Sequence, residues 1–157
     1  MKIVVDSNIV FSAILNTKSK VGQLIINGSK YFDFYTIGLL KEEIFRHRDK
    51  ILHFTKFSPK QFDQTYHIIT TRIIFADDIL LTDSDIKKAI DLVLGIDPND
   101  APFVALNNHL LAHLWTGDKH LINGLKKKKY SRVLTTDELY EIFLNKQLKV
   151  KGQKKDK

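Results

Sequence analysis

Short β-branched runs alternate along this chain with longer segments of helical spacing, and that rhythm leaves few ways to bury the apolar residues. Lys2-Ile3-Val4-Val5 is typical of a strand buried on both faces of a parallel sheet. Residues 9–15 begin a helix, and 21–26 form another that stops at Asn27-Gly28. Residues 32–37 alternate aromatic and polar side chains, as a second strand would. From residue 39 to about 53, Leu40, Ile44 and Ile51 keep close to helical spacing, and Ser58-Pro59 opens a helix to about residue 71. Residues 73–75 carry a weaker strand pattern. Residues 85–94 read as a helix stopped by Gly95, and Asp97-Pro98 starts another to about residue 111. Strands are expected at 113–116 and 132–134, and Thr135-Thr136-Asp137-Glu138 is a capping-box start for a final helix ending near residue 144. The expected fold class is α/β, with three layers (α/β/α) around a central, mainly parallel sheet.

At 157 residues and 43% hydrophobic, the chain suits one domain with its own core. Residues 1–146 are read as that domain, and 147–157 as a lysine-rich, disordered tail. The chain has no cysteine, which excludes disulfides, thiolate metal sites and thiol nucleophiles. Asp6 and Asn8 interrupt the first apolar stretch before a signal-peptide core can form, and no run reaches the roughly 18 apolar residues of a membrane span. A soluble, cytoplasmic protein with no membrane association is expected. The net charge of +7 favours polyanionic partners. Lys126, Lys127, Lys128 and Lys129 form an unbroken run, with Arg132 close by, and are read as phosphate contacts that hold a nucleic-acid backbone.

Ligands of open parallel sheets bind beyond the carboxyl ends of the strands, where Asp6 and Asp118 both fall. Ser7 could cap the first helix as readily as Asp6, which would free Asp6 to act as a ligand. Asp97 before Pro98 is a strong helix start, so Asp97 is read chiefly as a cap and Asp100 as the ligand. Glu42 and Glu43 point roughly 100° apart on a helix, and spacing alone does not choose between them. Asn8 could hold an oxygen ligand or a water in place, and the Thr116 hydroxyl could touch a ligating carboxylate. Such oxygen donors suit Mg²⁺ or Mn²⁺, as one or two ions. Trp115, inside an expected strand, is assigned to the core, while His47, His53, His67 and His120 show no partner pattern.

Four segments in order, Ile3-Val4-Val5-Asp6-Ser7-Asn8-Ile9, Leu40-Lys41-Glu42-Glu43-Ile44, Asp97-Pro98-Asn99-Asp100-Ala101-Pro102-Phe103-Val104-Ala105-Leu106 and Leu114-Trp115-Thr116-Gly117-Asp118-Lys119-His120-Leu121, resemble PIN-domain proteins, including VapC-like toxins of toxin–antitoxin systems. The resemblance implies a parallel-sheet α/β/α fold and metal-dependent cleavage of RNA. It implies Asp6, Glu43, Asp100 and Asp118 as the acidic quartet, which favours Glu43 over Glu42. An antitoxin partner and a homodimer are further family expectations. Asn107-Asn108 departs from the family, which usually continues with small apolar residues there, and this bears on local helix packing. A non-catalytic PIN fold that only binds nucleic acid is the main alternative. An aspartyl-phosphate enzyme would need a second acid where Asn8 stands, and a zinc site at His109 and His113 lacks cysteine or an intervening glutamate.

Overall fold

Near-continuous apolar runs demand burial on both faces, and the computed structural model, which describes residues 1–156, meets that demand with a single five-stranded sheet. Its strands are β1 (Lys2–Val5), β2 (Asp33–Ile37), β3 (Ile73–Ala76), β4 (His113–Trp115) and β5 (Val133–Leu134). They lie in the order β3-β2-β1-β4-β5, and every neighbouring pair is parallel. Ile3, Val4, Val5, Leu114 and Trp115 are wholly buried at its centre.

Parallel neighbours need crossovers, and the helices supply them. α1 (Ser7–Leu15) and α2 (Lys20–Gly28) join β1 to β2; α3 (Leu40–Arg46), α4 (Arg48–Thr55) and α5 (Pro59–Thr70) join β2 to β3. α6 (Asp83–Val93) and α7 (Ala101–Leu110) carry the chain back across the sheet to β4, α8 (Lys119–Lys127) leads to β5, and α9 (Thr136–Lys155) follows. Right-handed crossovers that first run one way and then the other must cover opposite faces. Accordingly α1, α2 and α5 pack together, with α9 against α2, while α7 lies across β1, β2 and β4. The fold is the expected three-layer α/β/α arrangement. Among the described residues no helix is long and apolar enough to cross a membrane.

Local chemistry sets the helix starts. Ser58 with Gln61, Thr82 with Asp85 and Thr135 with Glu138 each close a reciprocal capping box. Three differences from the sequence reading stand out. The helix expected from residue 39 to about 53 breaks at His47, because Ile44 and Ile51 have no apolar residue on the same face between them to hold a continuous stripe. α8 was not expected at all. It buries Leu121, Ile122 and Leu125 and takes the first half of the lysine run into its last turn, where cations oppose the helix dipole favourably. Finally, α9 continues through Lys155 instead of ending near residue 144, so residues 147–155 of the lysine-rich tail are helical; Lys157 lies outside the described residues.

Two polar links tie the α6–α7 hairpin to the β4–β5 half. Lys128 Nζ donates to the carbonyls of Asp91, Leu92 and Leu94 at 3.1, 2.8 and 2.7 Å, satisfying the orphan C-terminal carbonyls of α6. Asn107, wholly buried, donates to the Tyr130 hydroxyl at 2.7 Å and to the Arg132 carbonyl at 3.2 Å. Tyr130 and the Arg132 guanidinium both donate to Asn108 Oδ1, at 2.8 and 2.7 Å. The two asparagines that break the family's apolar pattern are therefore the hydrogen-bonding partners of the segment leading into β5.

Close approach of backbone restricts Gly22 in α2. A Cβ on Gly22 would stand 2.5 Å from the Thr17 carbonyl oxygen, whereas one on Gly152 meets nothing within 4 Å. Glycine-to-alanine changes inside helices ordinarily stabilise by about 1 kcal/mol. Gly22→Ala is expected to reverse that sign and lower the melting temperature by several degrees, while Gly152→Ala leaves it unchanged or slightly higher, as thermal circular dichroism would measure.

Candidate active site

The end of β1 and the end of β4 meet in register: Val5 pairs with Trp115, and the Asp6 N–H donates to the Trp115 carbonyl at 3.2 Å. Asp6, 4% exposed, caps α1 by accepting from the Ile9 N–H through Oδ1 at 2.9 Å. Ser7, which could have capped the helix as readily, is instead its first residue. Asp118 repeats the arrangement on α8, its Oδ1 accepting from the N–H groups of His120 and Leu121 at 2.8 and 3.3 Å. Thr116, wholly buried, accepts from the Asp118 N–H at 3.0 Å, and its hydroxyl is near enough to Asp6 to oppose the rise of that carboxyl.

Asp97 and Asp100 arrive from the other side of the hairpin loop. Asp97 caps the 3-10 turn Pro98–Asp100, accepting from the Asn99 N–H at 2.9 Å. Asp100 precedes α7 but makes no capping bond, and its Oδ2 is buried with no hydrogen-bond partner. Burial lifts the Asp100 carboxyl to about 6, with the charges of Asp97, Asp118 and Asp6 adding to the rise and His120 opposing it. Asp6 is also raised, first by burial and then by Asp118, against hydrogen bonds from Thr116 and the Ile9 N–H. The structure thus brings Asp6, Asp97, Asp100 and Asp118 into one electrostatic group, with His120 at its edge. His120, which has no partner pattern in the sequence, comes near the group because it stands two residues after Asp118, in the first turn of α8.

A carboxylate oxygen that is buried, without a donor and repelled by its neighbours fits a hard divalent cation, which would satisfy it and cancel the repulsion. Asp6, Asp100 and Asp118 are the residues with oxygens to offer. Among the described residues, however, no three acidic or imidazole side chains stand together as a ready ion cage. Glu43 lies on α3, half-buried beside the buried Ile44, and Glu42 is exposed. Asn8 is exposed on α1.

The basic residues divide. Lys126, Lys127 and Lys129 are exposed, Lys126 lying 3.6 Å from Glu138. Lys128 is committed elsewhere, because its three donors already serve the end of α6. Arg132 is turned inward onto Asn108 and lies over the Tyr130 ring. Both therefore already have partners within the protein. His109 pairs with Asp85 at 3.0 Å, while His113 sits on β4, off the helix that would have set them at zinc-binding spacing.

An apolar cavity of about 520 Å³ adjoins the Asp97–Asp100 turn, lined by residues including Ile37, Leu39, Ile90, Pro98 and Ala101. Residues 4–138 match the family model described as PIN domain. No curated protein matches the chain.

The raised Asp100 carboxyl carries a stability signature. A carboxyl with a higher pKa folded than unfolded keeps its proton in the fold between about 3.8 and about 6, so stability falls as pH rises through that window. Asp100→Asn removes the penalty. In chelator, its melting temperature should exceed that of the parent by a few degrees at pH 8 and match it at pH 3.5, as measured by scanning calorimetry.

Proposed function

The chain belongs to the PIN-domain family, and from that premise we propose that it is a metal-dependent endoribonuclease acting through Asp6, Asp100 and Asp118, with Glu43 as the fourth acid. PIN domains have a nuclease-type fold and act on nucleic acids, typically with divalent metals. The observation that carries the finer reading is the buried, unpartnered Oδ2 of Asp100 beside two other acids at the strand ends. An acid held this way costs stability without an ion, which is a poor arrangement for a scaffold and a suitable one for a site that binds cations.

The chain's own residues have separable roles. Asp6 and Asp118 are held in orientation by their capping bonds, so their free oxygens are aimed without side-chain entropy left to lose. Thr116 accepts from the Asp118 N–H, and Asp97 keeps the loop of Asp100 in its turn. Asn8, exposed next to the site, is available to a water or a substrate oxygen. A bound Mg²⁺ or Mn²⁺, as one or two ions, supplies Lewis acidity at the phosphoryl oxygen and lowers the pKa of a water there. Lys126, Lys127 and Lys129 provide sequence-independent contacts to the RNA backbone. As a cytoplasmic protein it would serve as the toxin of a toxin–antitoxin pair, held in check by an antitoxin and paired as a homodimer. Growth arrest on expression, relieved by the product of an adjacent gene, would support that role.

Incubation with total RNA and Mn²⁺ or EDTA tests the chemistry. Asparagine caps helices as well as aspartate, so Asp6→Asn and Asp118→Asn preserve the fold while removing the charge. Both variants are expected to lose roughly a hundredfold or more of the metal-stimulated cleavage, and EDTA to abolish it in the parent. Full activity in both purified variants would refute the mechanism. RNA binding without any cleavage by the parent would instead favour the non-catalytic PIN fold.

The divided lysine run has its own signature. Lys128→Gln should lower the melting temperature and leave the salt dependence of RNA binding intact. Lys127→Gln should do the reverse, making the slope of log affinity against log salt shallower by about 0.7.

A further inference from the structure

The far end of α9 is a second cluster of positive charge, apart from the lysine run of α8. The first half of that helix is anchored, with Leu139 and Phe143 buried and Lys146 Nζ 6.0 Å from the centre of the Phe32 ring. Phe32 immediately precedes β2, so α9 leaves the domain at the amino ends of the strands, away from Asp6 and Asp118. From Leu148 to Asp156 every residue is exposed, and the segment carries Lys149, Lys151, Lys154 and Lys155 against Asp156 alone.

The distribution of these residues selects the partner. Successive residues turn by about 100°, which spreads the lysines around most of the helix. Leu148 and Val150, two residues apart, project from opposed sides. Leu148 shares a face with the exposed Leu144 one turn back, but no apolar residue follows on that face, where Lys151 and Lys155 stand. The segment therefore has only a short apolar pair to offer a protein groove or a membrane surface. Lys151 and Lys155 stand one turn apart and repel, and Gly152 is a poor helix former between them. A polyanion removes that repulsion while gaining counterion-release affinity, and a phosphate backbone is the polyanion that needs no apolar stripe.

We propose that residues 148–155 form a phosphate-backbone anchor for RNA, gripping substrate that extends beyond the carboxylate site. The proposal rests on the ribonuclease reading. The 20 residues of α9 rise about 30 Å from its start after β5 to its end. Only RNA long enough to cross the domain touches both ends. The anchor thus adds affinity for long RNA, leaves short oligonucleotides unaffected and does not alter the chemical step.

The test compares the full-length parent with a variant carrying Lys149→Gln, Lys151→Gln, Lys154→Gln and Lys155→Gln, since glutamine keeps helix propensity. With Mn²⁺, the variant is expected to show an unchanged kcat, a KM about tenfold higher for long RNA and unaltered kinetics on a short oligonucleotide. With EDTA, its binding to long RNA should show a salt slope shallower by up to about 3, at about 0.7 for each phosphate no longer neutralised. Equal KM and equal slope in the two proteins would overturn the anchor, as would an equal loss on short and long substrates. If the parent binds RNA but does not cleave it, the nuclease reading fails, and the slopes in EDTA still decide the anchor.

Discussion

The parallel pairing of β1 with β4 is the interaction on which the rest depends. These strands are distant in sequence, yet Val5 lies opposite Trp115 and the next residue, Asp6, hydrogen-bonds back across the pair. The chain leaves β1 toward β2 on one side and leaves β4 toward β5 on the other. The connections diverge there and open a crevice, which is where ligands of doubly wound sheets sit. A side chain just beyond either strand faces that crevice. Asp6 directly follows β1, and Asp118 stands three residues after β4, at the start of α8.

The acids of the site are also the caps of its helices. α1 begins at Asp6, α8 at Asp118 and the turn before α7 at Asp97, so several helix N-termini converge on one patch of negative charge. Unsatisfied N–H groups and helix dipoles favour carboxylates there. Asp100 is the exception. It is close to the others and buried, but no capping bond from a backbone N–H compensates its side chain, and its carboxyl is raised to about 6. The site is therefore graded, with two acids anchored by folding and one left unsatisfied by it.

Strand-end acids were legible because period and position are local. β-branched runs announced β1 and β4, and Asp6 and Asp118 followed from where those runs stop. The cap at Asp97 was legible for the same reason, since Asp-Pro carries its own geometry. What depended on remote partners was hidden. Lys128 looked like any other member of a lysine run, and only the end of α6, more than 30 residues earlier, makes it a cap. α8 was obscured because its burying residues, Leu121, Ile122 and Leu125, are few and are followed at once by charge. Glu42 and Glu43 could not be separated by spacing, and their different exposure appears only once α3 is packed.

Asn107 stands seven residues after Asp100, two helical turns along, and so on nearly the same side of α7. Its buried amide nitrogen finds its two acceptors only when that side meets the Tyr130 hydroxyl and the Arg132 carbonyl. An apolar residue there would tolerate sliding or slight rotation, because dispersion contacts have little directionality, whereas a pair of hydrogen bonds does not. The amide thus acts as an angular gauge, setting the azimuth of the helix about 10 Å from the Asp100 carboxylate at its start. Alignment at the carboxylate end of the helix is in this sense decided at its other end.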